Sequence, residues 1–327
     1  MATYLYPTAA ELQEIEQSLL PVLTQDDPLF DILKIENHDS DLVMWEQEDD
    51  YVGLQAARTL NTAASKVDPV GLRRYSFAPG AYAEFMSLDE QEMVRRRKIG
   101  SFNQNIDLSD LVRKRQDQLL NRRINRIRKI GWDLLSAGTF SVAAPNGQIL
   151  HTDTYSTQTF NATVGWSTAA TATPLADFRS VQLKHRGYSV SFGSDAQAFM
   201  NLQTWQYMVA NSNSADLYGR RSQGLGTLNN ISDVNKLLMG DNLPEIVIYD
   251  KGYKANSSDT DGTRFIPDNV VVVVGKRDDK RPIGAYAMTR NASNPNMAPG
   301  PFTTVVDSAD HGQVVPRTVS VYDCHLG

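Results

Sequence analysis

The sequence lacks the features of several protein classes. Of its 327 residues only Cys324 is a cysteine, so neither an intrachain disulfide nor a thiol-based zinc cluster can form. No segment approaches the roughly 20 consecutive apolar residues of a membrane span. The N-terminus also lacks the basic region and apolar core of a signal peptide. We therefore expect a chain that works in solution and has no membrane partner.

Motifs of catalysis and metal binding are also missing. The five histidines are scattered singly, without the spacing of a metal-binding pair, and no G-x-S-x-G nucleophile motif occurs. The G-x-G within Gly219 to Asn230 lacks a third glycine and the Lys-Ser/Thr of a phosphate-binding loop. The acidic segment Ser257 to Thr263 lacks the alternating ligands of a calcium loop. We expect no catalytic residue, no cofactor and no metal, and hence a protein that is not an enzyme.

An excess of positive charge is absent as well. The formal net charge is -6, which argues against a general nucleic-acid binder, because phosphate-binding surfaces usually carry a basic excess. A local basic surface remains compatible with this total.

The strongest pattern in the chain is a long amphipathic stretch from Leu108 to Ala137. Its apolar residues recur at steps of three and four or their sums, which places them on one side of an α-helix. Asp107 or Ser109 can cap its start, and Gly138 can adopt the left-handed conformation that ends a helix. At 1.5 Å per residue, about thirty residues form a rod of roughly 45 Å, which suits a scaffold better than a compact enzyme.

This predicted helix is also the most cationic element of the chain. Eight basic residues face only three acidic ones, Asp110, Asp117 and Asp133. A solvated face explains this pattern, but so do salt bridges to acidic neighbouring subunits or contact with a polyanion, since Arg pairs with both carboxylate and phosphate. The basic residues are Arg113, Lys114, Arg115, Arg122, Arg123, Arg126, Arg128 and Lys129, and the candidates for such contacts are Arg122, Arg123, Arg126 and Lys129.

The residues before the long helix predict an arm. Thr8 to Leu20 reads as a short helix that Pro21 ends. Leu29 to Glu48 holds two strand-like pieces around a turn, which fits a hairpin or a long two-stranded arm. Asp49 to Gly100 has no strong core signal, and so long a loop is unusual inside a compact domain. We predict that this segment projects from the body of the protein.

The residues after the long helix alternate between helices and strands. Strands predicted on both sides of a turn at Pro145 to Gly147 are followed by a polar connector through Thr173, which we interpret as a domain boundary. Helices are predicted at Leu175 to Arg186 and Ile231 to Leu238, with one or two more between Ser189 and Gly219, the first capped by Ser194 or Asp195. Strands are predicted in Glu245 to Ala255, Arg264 to Lys276, Phe302 to Ser308 and Thr318 to Asp323.

This order of elements resembles the major capsid proteins of tailed bacteriophages, most closely the lambda-like E group. The likeness spans nearly the whole chain, and its specific signals are the Leu134 to Val142 junction, a hairpin predicted within Arg264 to Gly275 and a helix predicted at Met200 to Met208. The resemblance implies an α+β Hong Kong 97-type capsid fold. Its divisions would be an N-terminal arm (1–36), an extended β-hairpin loop (37–100), a peripheral domain (101–173 and 294–327) with the spine helix 108–137, and an axial domain (174–293).

The function that the resemblance implies is assembly. Identical subunits in hexamers and pentamers would build an icosahedral phage head around double-stranded DNA, in virions assembled in the host cytoplasm. Other partners would be a portal, a decoration protein and, because the sequence opens directly on the arm, a separate scaffold protein. Alternatives are a tail-tube or encapsulin-like shell subunit and an enzyme of unknown type.

Separated charges suggest where subunits touch. Basic residues in and after the loop are expected to pair with an acidic group on a neighbouring subunit. Lys66 lies where some members of the wider fold carry a crosslinking lysine, but the lambda-like group does not generally crosslink, so a crosslink is disfavoured. The basic group comprises Arg73, Arg74, Arg95, Arg96 and Arg97, and the acidic group comprises Glu46, Glu48, Asp49 and Asp50.

Overall fold

The computed structural model mixes helices and strands. It describes residues 9–40, 42–49, 53–77, 79–88, 95, 108–143, 147–184, 186, 190–211, 231–255, 258–277, 284–290, 299–306 and 317–325. The helices described are α1 (Ala9–Thr24), α2 (Pro28–Ile32), α3 (Leu108–Ala137), α4 (Pro174–Lys184), α5 (Leu202–Ala210) and α6 (Ile231–Gly240).

The strands fall into one larger sheet and several small ones. Those of the first half are β1 (Leu33–His38), β2 (Val43–Glu48), β3 (Leu72–Phe77), β4 (Gly80–Leu88), β5 (Thr139–Ala143) and β6 (Ile149–Thr154). Those of the middle are β7 (Val190–Ser191), β8 (Gln197–Met200), β9 (Glu245–Ile248), β10 (Gly252–Tyr253), β11 (Thr263–Arg264), β12 (Val272–Val274) and β13 (Lys276–Arg277). The last are β14 (Gly284–Thr289), β15 (Phe302–Val306) and β16 (Arg317–His325).

Helix α3 has the bounds that its apolar period predicts. Gly138 ends it at φ +71°, and its N–H donates to the Leu134 carbonyl oxygen at 2.8 Å, as expected of a left-handed cap. The predicted cap Asp107 lies outside the described residues. Both Leu108 and Ala137 are therefore confirmed as helix ends.

Three core clusters follow one another along α3, so that different parts of the chain pack on one rod. The first brings α1 and the end of β4 onto its N-terminal third, and the second packs β5 and β14 around Ile124, Ile127 and Ile130. In the third, Trp132 contacts α2 and aromatic residues from the 249–265 region. Burial of each such side chain stabilises by about 1.5–3 kcal/mol, so this one helix organises much of the fold.

Helix α1 differs from its prediction, because it continues past Pro21 to Thr24. Proline removes its own N–H donor and its ring crowds the carbonyl of the preceding turn, but its own carbonyl oxygen still accepts from the Gln25 N–H at 2.9 Å and so continues the helix. The Thr24 hydroxyl also donates to the Leu20 carbonyl oxygen at 2.9 Å. Pro21 as a helix stop was therefore wrong.

The strand pieces of Leu29 to Glu48 do not form a hairpin with each other. Strand β1 pairs in parallel with β14, whereas β2 pairs antiparallel with β3. Pairing with β14 buries Leu33 in the core, a long-range gain that a local turn signal cannot reveal. An arm made of these two pieces was therefore wrong. Strands β2 and β3 form a two-stranded arm instead, and β1, β14, β16, β15 and β4 form the larger sheet.

In the second half of the chain, β8 lies between β9 and β12 and is covered by α4, α5 and α6. The prediction of a helix capped by Ser194 or Asp195 was wrong. Residues 197–200 form a strand instead, and Asn201 caps α5 by accepting from the Thr204 N–H at 2.8 Å. The apolar run 198–200 is fully buried, and so short a run does not distinguish a buried strand from a helix.

The prediction of a hairpin within Arg264 to Gly275 was also wrong. Strand β11 pairs with β10, and β12 pairs with β8, so the two ends of this segment belong to different sheets. Asn269, at φ +62°, lies in the turn between them. Phe265 and Ile266 are buried in the core cluster around Trp132, and this burial explains why the segment does not fold back on itself.

Candidate assembly surfaces and a basic cleft

The loop between β2 and β3 is the most exposed part of the described chain. Every described side chain from 53 to 69 is exposed, and those of Leu54, Leu60 and Val67 are 99%, 92% and 83% exposed. So long a run without one buried side chain is unusual inside a compact domain. This segment, called the exposed loop below, finds no burial on its own subunit.

The base of the exposed loop is rigidly built. Trp45 stacks on Tyr75 and Phe77 with ring centroids 5.5 and 5.1 Å away, and Phe77 stacks on Tyr155 at 5.6 Å. Such aromatic pairs contribute about 0.5–1.5 kcal/mol beyond their area. The β2–β3 arm is therefore fixed to the connector that follows β6, while its far end is uncovered.

Five of the charged residues predicted for subunit contacts, Glu46, Glu48, Asp49, Arg73 and Arg74, lie at this arm, and two pairs form within one chain. Arg74 Nε donates to Glu46 Oε1 at 2.9 Å, and Arg73 Nε lies 3.1 Å from Asp49 Oδ1. All four side chains are 41% or more exposed, so each pair is worth about 0–1 kcal/mol. Their contact with a neighbour stays a prediction. Glu48 and Arg95 are exposed, and Asp50, Arg96 and Arg97 lie outside the described residues.

The four cationic candidates of the long helix line a single cleft of about 460 Å³. We call it the basic cleft. It lies between α3, the start of β4, the β5–β6 hairpin and residues 253–255. Glu84 is the acidic residue in its lining, and Arg122, Arg123, Arg126, Lys129 and Lys254 are the basic ones.

These cations differ in how far they are already neutralised. Arg122 makes a bidentate pair with Glu84, both contacts at 2.7 Å, and the hydrogen bond to Glu84 raises the pKa of the Arg122 guanidinium. Lys129 Nζ lies 2.5 Å from Asp133 Oδ2, one turn along the helix. Arg123 is buried, with Nη2 3.1 Å from the Met288 sulfur. Arg126 is exposed, without an ion pair or hydrogen bond to the described residues.

A buried carboxylate that the sequence analysis missed joins three parts of the chain. Asp27 Oδ2 accepts from Arg128 Nε at 2.6 Å and from Lys251 Nζ and Tyr249 Oη at 3.3 Å each. Its Oδ1 caps α2 by accepting from the Leu29 N–H at 3.3 Å. The Asp27-Pro28 dipeptide is a helix-start signal that could have indicated the cap, but not the distant cations.

Two kinds of feature are absent from the described residues. Within them no group of three or more His, Cys, Asp or Glu side chains could hold a metal ion. Among the described helices, none is both long and apolar enough to cross a bilayer.

Comparison with known proteins decides the family. The family model described as phage major capsid protein E matches residues 21–308. The chain belongs to the phage major capsid protein E family. No curated protein matches it.

Among solved structures the chain is similar to capsid and particle proteins. It has 8% identity to a subunit of the mature capsid of bacteriophage PhiM1, at a TM-score of 0.49, with 91% of this chain and 82% of that chain covered. To the head structure of Helicobacter pylori bacteriophage KHP40 it has 12% identity at a TM-score of 0.47, with 92% of this chain and 83% of that chain covered. To a virus-like particle from Pyrococcus furiosus it has 9% identity at a TM-score of 0.43, with 96% of this chain and 93% of that chain covered. Because these TM-scores lie below 0.5, the assignment rests on the family match.

Membership in this family confirms the central predictions. The chain is a shell-forming capsid subunit and a structural component of the phage virion. The α+β fold class of Hong Kong 97 type is confirmed as well, since the described chain has the spine helix, the two-stranded arm and the mixed sheets that this fold implies.

Proposed function

We propose that copies of this capsid protein assemble into hexamers and pentamers that close an icosahedral head around double-stranded DNA. The observation that carries this proposal is the exposed loop, in which no described side chain from 53 to 69 is buried. A segment of this length with apolar residues and no contact to its own body is built to be covered by another subunit. Contacts of modest strength, repeated over many copies, then stabilise the shell.

The proposal includes the division of the chain into functional parts. Residues 1–36 form the N-terminal arm, which is distinct from the β2–β3 arm. Residues 37–100 form the extended loop, 101–173 with 294–327 the peripheral domain, and 174–293 the axial domain. The buried members of the core cluster around Trp205 and Leu238 all lie between 174 and 293, which supports an axial unit with a core of its own. The axial unit meets α3 through Trp132, which contacts Phe199 and Tyr249 at 5.4 and 4.7 Å between ring centroids.

Charge pairs at the arm supply the contacts between subunits in this account. The pairs Arg73–Asp49 and Arg74–Glu46 are exposed, so exchanging a partner within the chain for one on a neighbour changes the free energy little. Electrostatic complementarity then sets the register and orientation of the subunits rather than the bulk of the affinity.

The proposal also names partners beyond the subunit itself. Family membership supports packaged DNA bound without sequence specificity, a portal, a separate scaffold protein and a decoration protein, with assembly in the host cytoplasm before release of the virion. Basic side chains of α3 are candidates for the DNA-facing surface.

Shortening the exposed loop tests the function. Replacing residues 54–69 by four Gly and Ser residues removes no buried contact, so the subunit is expected to keep its thermal unfolding midpoint. We expect it to lose sedimenting shells when it is produced with its scaffold. A matched control replaces Leu54, Leu60 and Val67 by Ser at full loop length, which separates loss of apolar contact from loss of reach. Normal shells from the shortened variant would refute the proposal.

A further inference from the structure

The basic cleft has two kinds of wall. One side is apolar, where Leu150 is 63% exposed, whereas Leu119 and Val142 are buried at 2% and 5% exposure. The other side is cationic, but Arg122 and Lys129 already face the carboxylates of Glu84 and Asp133. Arg126 has no ion pair or hydrogen bond among the described residues, and the exposed Lys254 donates to the Thr260 carbonyl oxygen at 3.3 Å rather than to a carboxylate. A binding partner therefore meets an apolar side chain beside the Arg126 guanidinium, with the Lys254 ammonium elsewhere in the lining.

This arrangement fits a peptide better than a polyanion. Duplex DNA carries one charge per about 1.7 Å of its axis, and binding it requires a row of available cations rather than a half-apolar cleft. A short segment with one carboxylate between apolar residues can pair its carboxylate with the cationic side and pack its apolar residues on the apolar side. Sites of this kind are typically concave and mostly apolar, with a few polar groups that fix orientation.

The exposed loop contains such a segment. In residues 67–70, Asp68 lies between Val67 and Pro69, with Val70 beyond. The carboxylate of Asp68 lies 3.4 Å from Lys66 Nζ, but both side chains are 87% exposed, so this pair is worth at most about 1 kcal/mol and is easily exchanged. Since the side chains from 53 to 69 are all exposed, the segment does not occupy the cleft of its own subunit.

We propose that residues 67–70 of one subunit bind in the basic cleft of a second copy, where the Asp68 carboxylate pairs with the Arg126 guanidinium. Val67 and Pro69 then cover Leu150. The inference rests on the proposed function, because it assigns the landing site of the loop on the neighbouring subunit. It differs from the general charge pairing at the arm in naming one acid, one base and the apolar wall beside them.

Charge reversal tests the pairing. The variants Arg126→Glu and Asp68→Arg are each expected to lower the yield of sedimenting shells about tenfold or more, because every 1.4 kcal/mol lost in a contact is tenfold in its equilibrium constant and the contact repeats in every copy. The double variant Asp68→Arg/Arg126→Glu restores the pair with opposite signs and is expected to recover most of the yield. Matched controls are Arg113→Glu, an exposed arginine of α3 outside the cleft, and Asp261→Arg, an exposed aspartate outside the loop. Both controls should assemble normally.

Each outcome supports or overturns the pairing. Normal yields from both single variants, or a double variant no better than the worse single one, overturn it while leaving shell assembly itself intact. Normal Arg126→Glu shells that lose packaged DNA would show that the cleft faces the polyanion instead. Failure of the unaltered chain to form particles with its scaffold defeats the proposed function and this inference together.

A covalent probe covers the case in which a charge-reversed subunit does not fold. In a Cys324→Ser background, Asp68→Cys with Arg126→Cys is expected to give a ladder of disulfide-linked multimers from assembled particles on non-reducing gels. Either cysteine alone should give at most dimers. Monomers from oxidised particles of the double-cysteine variant would place the loop elsewhere and overturn the proposal.

Discussion

Asp27 and Arg128 form a salt bridge inside the protein, with Arg128 Nε 2.6 Å from Asp27 Oδ2. The Asp27 side chain has no exposed surface and that of Arg128 is 14% exposed. Tyr249 and Lys251 donate to the same oxygen, so one carboxylate ties the N-terminal segment to α3 and to the chain after β9. Burial also raises the pKa of the Tyr249 hydroxyl, with the nearby Asp27 charge acting in the same direction. Tyr249 therefore acts as a hydrogen-bond donor.

Removing the Asp27 charge should destabilise the subunit strongly. The Asp27→Asn variant leaves a buried guanidinium without its counter-charge, and breaking a buried pair from one side typically costs about 3–5 kcal/mol. The thermal unfolding midpoint of the unassembled subunit should fall clearly, whereas Asp31→Asn, an exposed acid in the same helix, should leave it unchanged. The double variant Asp27→Asn/Arg128→Met should recover part of the loss. A midpoint that does not move would contradict this role for the carboxylate.

The Glu84–Arg122 pair should behave differently, although its geometry is as good. Its side chains are 48% and 56% exposed, and pairs in such positions contribute about 0–1 kcal/mol. We expect Glu84→Gln to shift the urea midpoint slightly, and added salt to reduce even that difference. The contrast with Asp27→Asn, measured under the same conditions, tests whether burial rather than distance determines the contribution of these pairs. A loss as large as that of Asp27→Asn would count against this explanation.

Gly138→Ala should weaken the end of the spine helix. The residue has φ +71°, and an added Cβ would lie 2.5 Å from Thr157 Oγ1 and 2.8 Å from the Tyr155 carbonyl oxygen. The backbone strain alone lowers the free energy of unfolding by about 1 kcal/mol, and the clash should make the loss larger. Gly147→Ala is the matched control, since φ is +84° there and an added Cβ meets nothing within 4 Å. Equal shifts in the unfolding midpoint would show that the contact with Thr157 is unimportant.

The raised pKa of the Tyr155 hydroxyl predicts that the subunit loses stability at alkaline pH. Desolvation by burial, and secondarily the charge of Asp153, raises the pKa of its hydroxyl to about 12. Because the ordinary value is about 10, the folded state disfavours the phenolate, so this contribution is fully present below pH 10 and is lost as the pH rises towards 12. Unfolding midpoints between pH 9 and 12 should fall less steeply for Tyr155→Phe than for the unaltered chain. Parallel curves would show that Tyr155 does not cause the decline.

Local sequence patterns predicted the elements whose signals lie close together in the chain. The apolar period of α3, with Gly138 at its end, determined the helix to the residue, because both features depend only on neighbours along the chain. Partners distant in sequence were not predictable in this way. The β1–β14 pairing joins Leu33 to Gly284, and the Asp27 carboxylate binds cations far along the chain. Pattern alone cannot give such contacts, because they depend on how the elements pack.

The candidate surfaces show the same division. Composition indicated that α3 is cationic, but only the structure shows that Arg122 and Lys129 have carboxylate partners whereas Arg126 has none among the described residues. The charge pattern of the arm indicated acid–base contacts, and the structure places Arg73 and Arg74 beside acids of their own chain. Such exposed pairs are worth about 0–1 kcal/mol, so their exchange on assembly stays a prediction.

Electron microscopy of the full-length chain produced together with its scaffold tests the central claim most directly. The account predicts closed isometric shells with five-fold and six-fold clusters of subunits, in which the exposed loop lies over a neighbouring subunit. Small oligomers or open tubes as the sole products, or closed shells in which residues 53–69 fold back onto their own subunit, would contradict it.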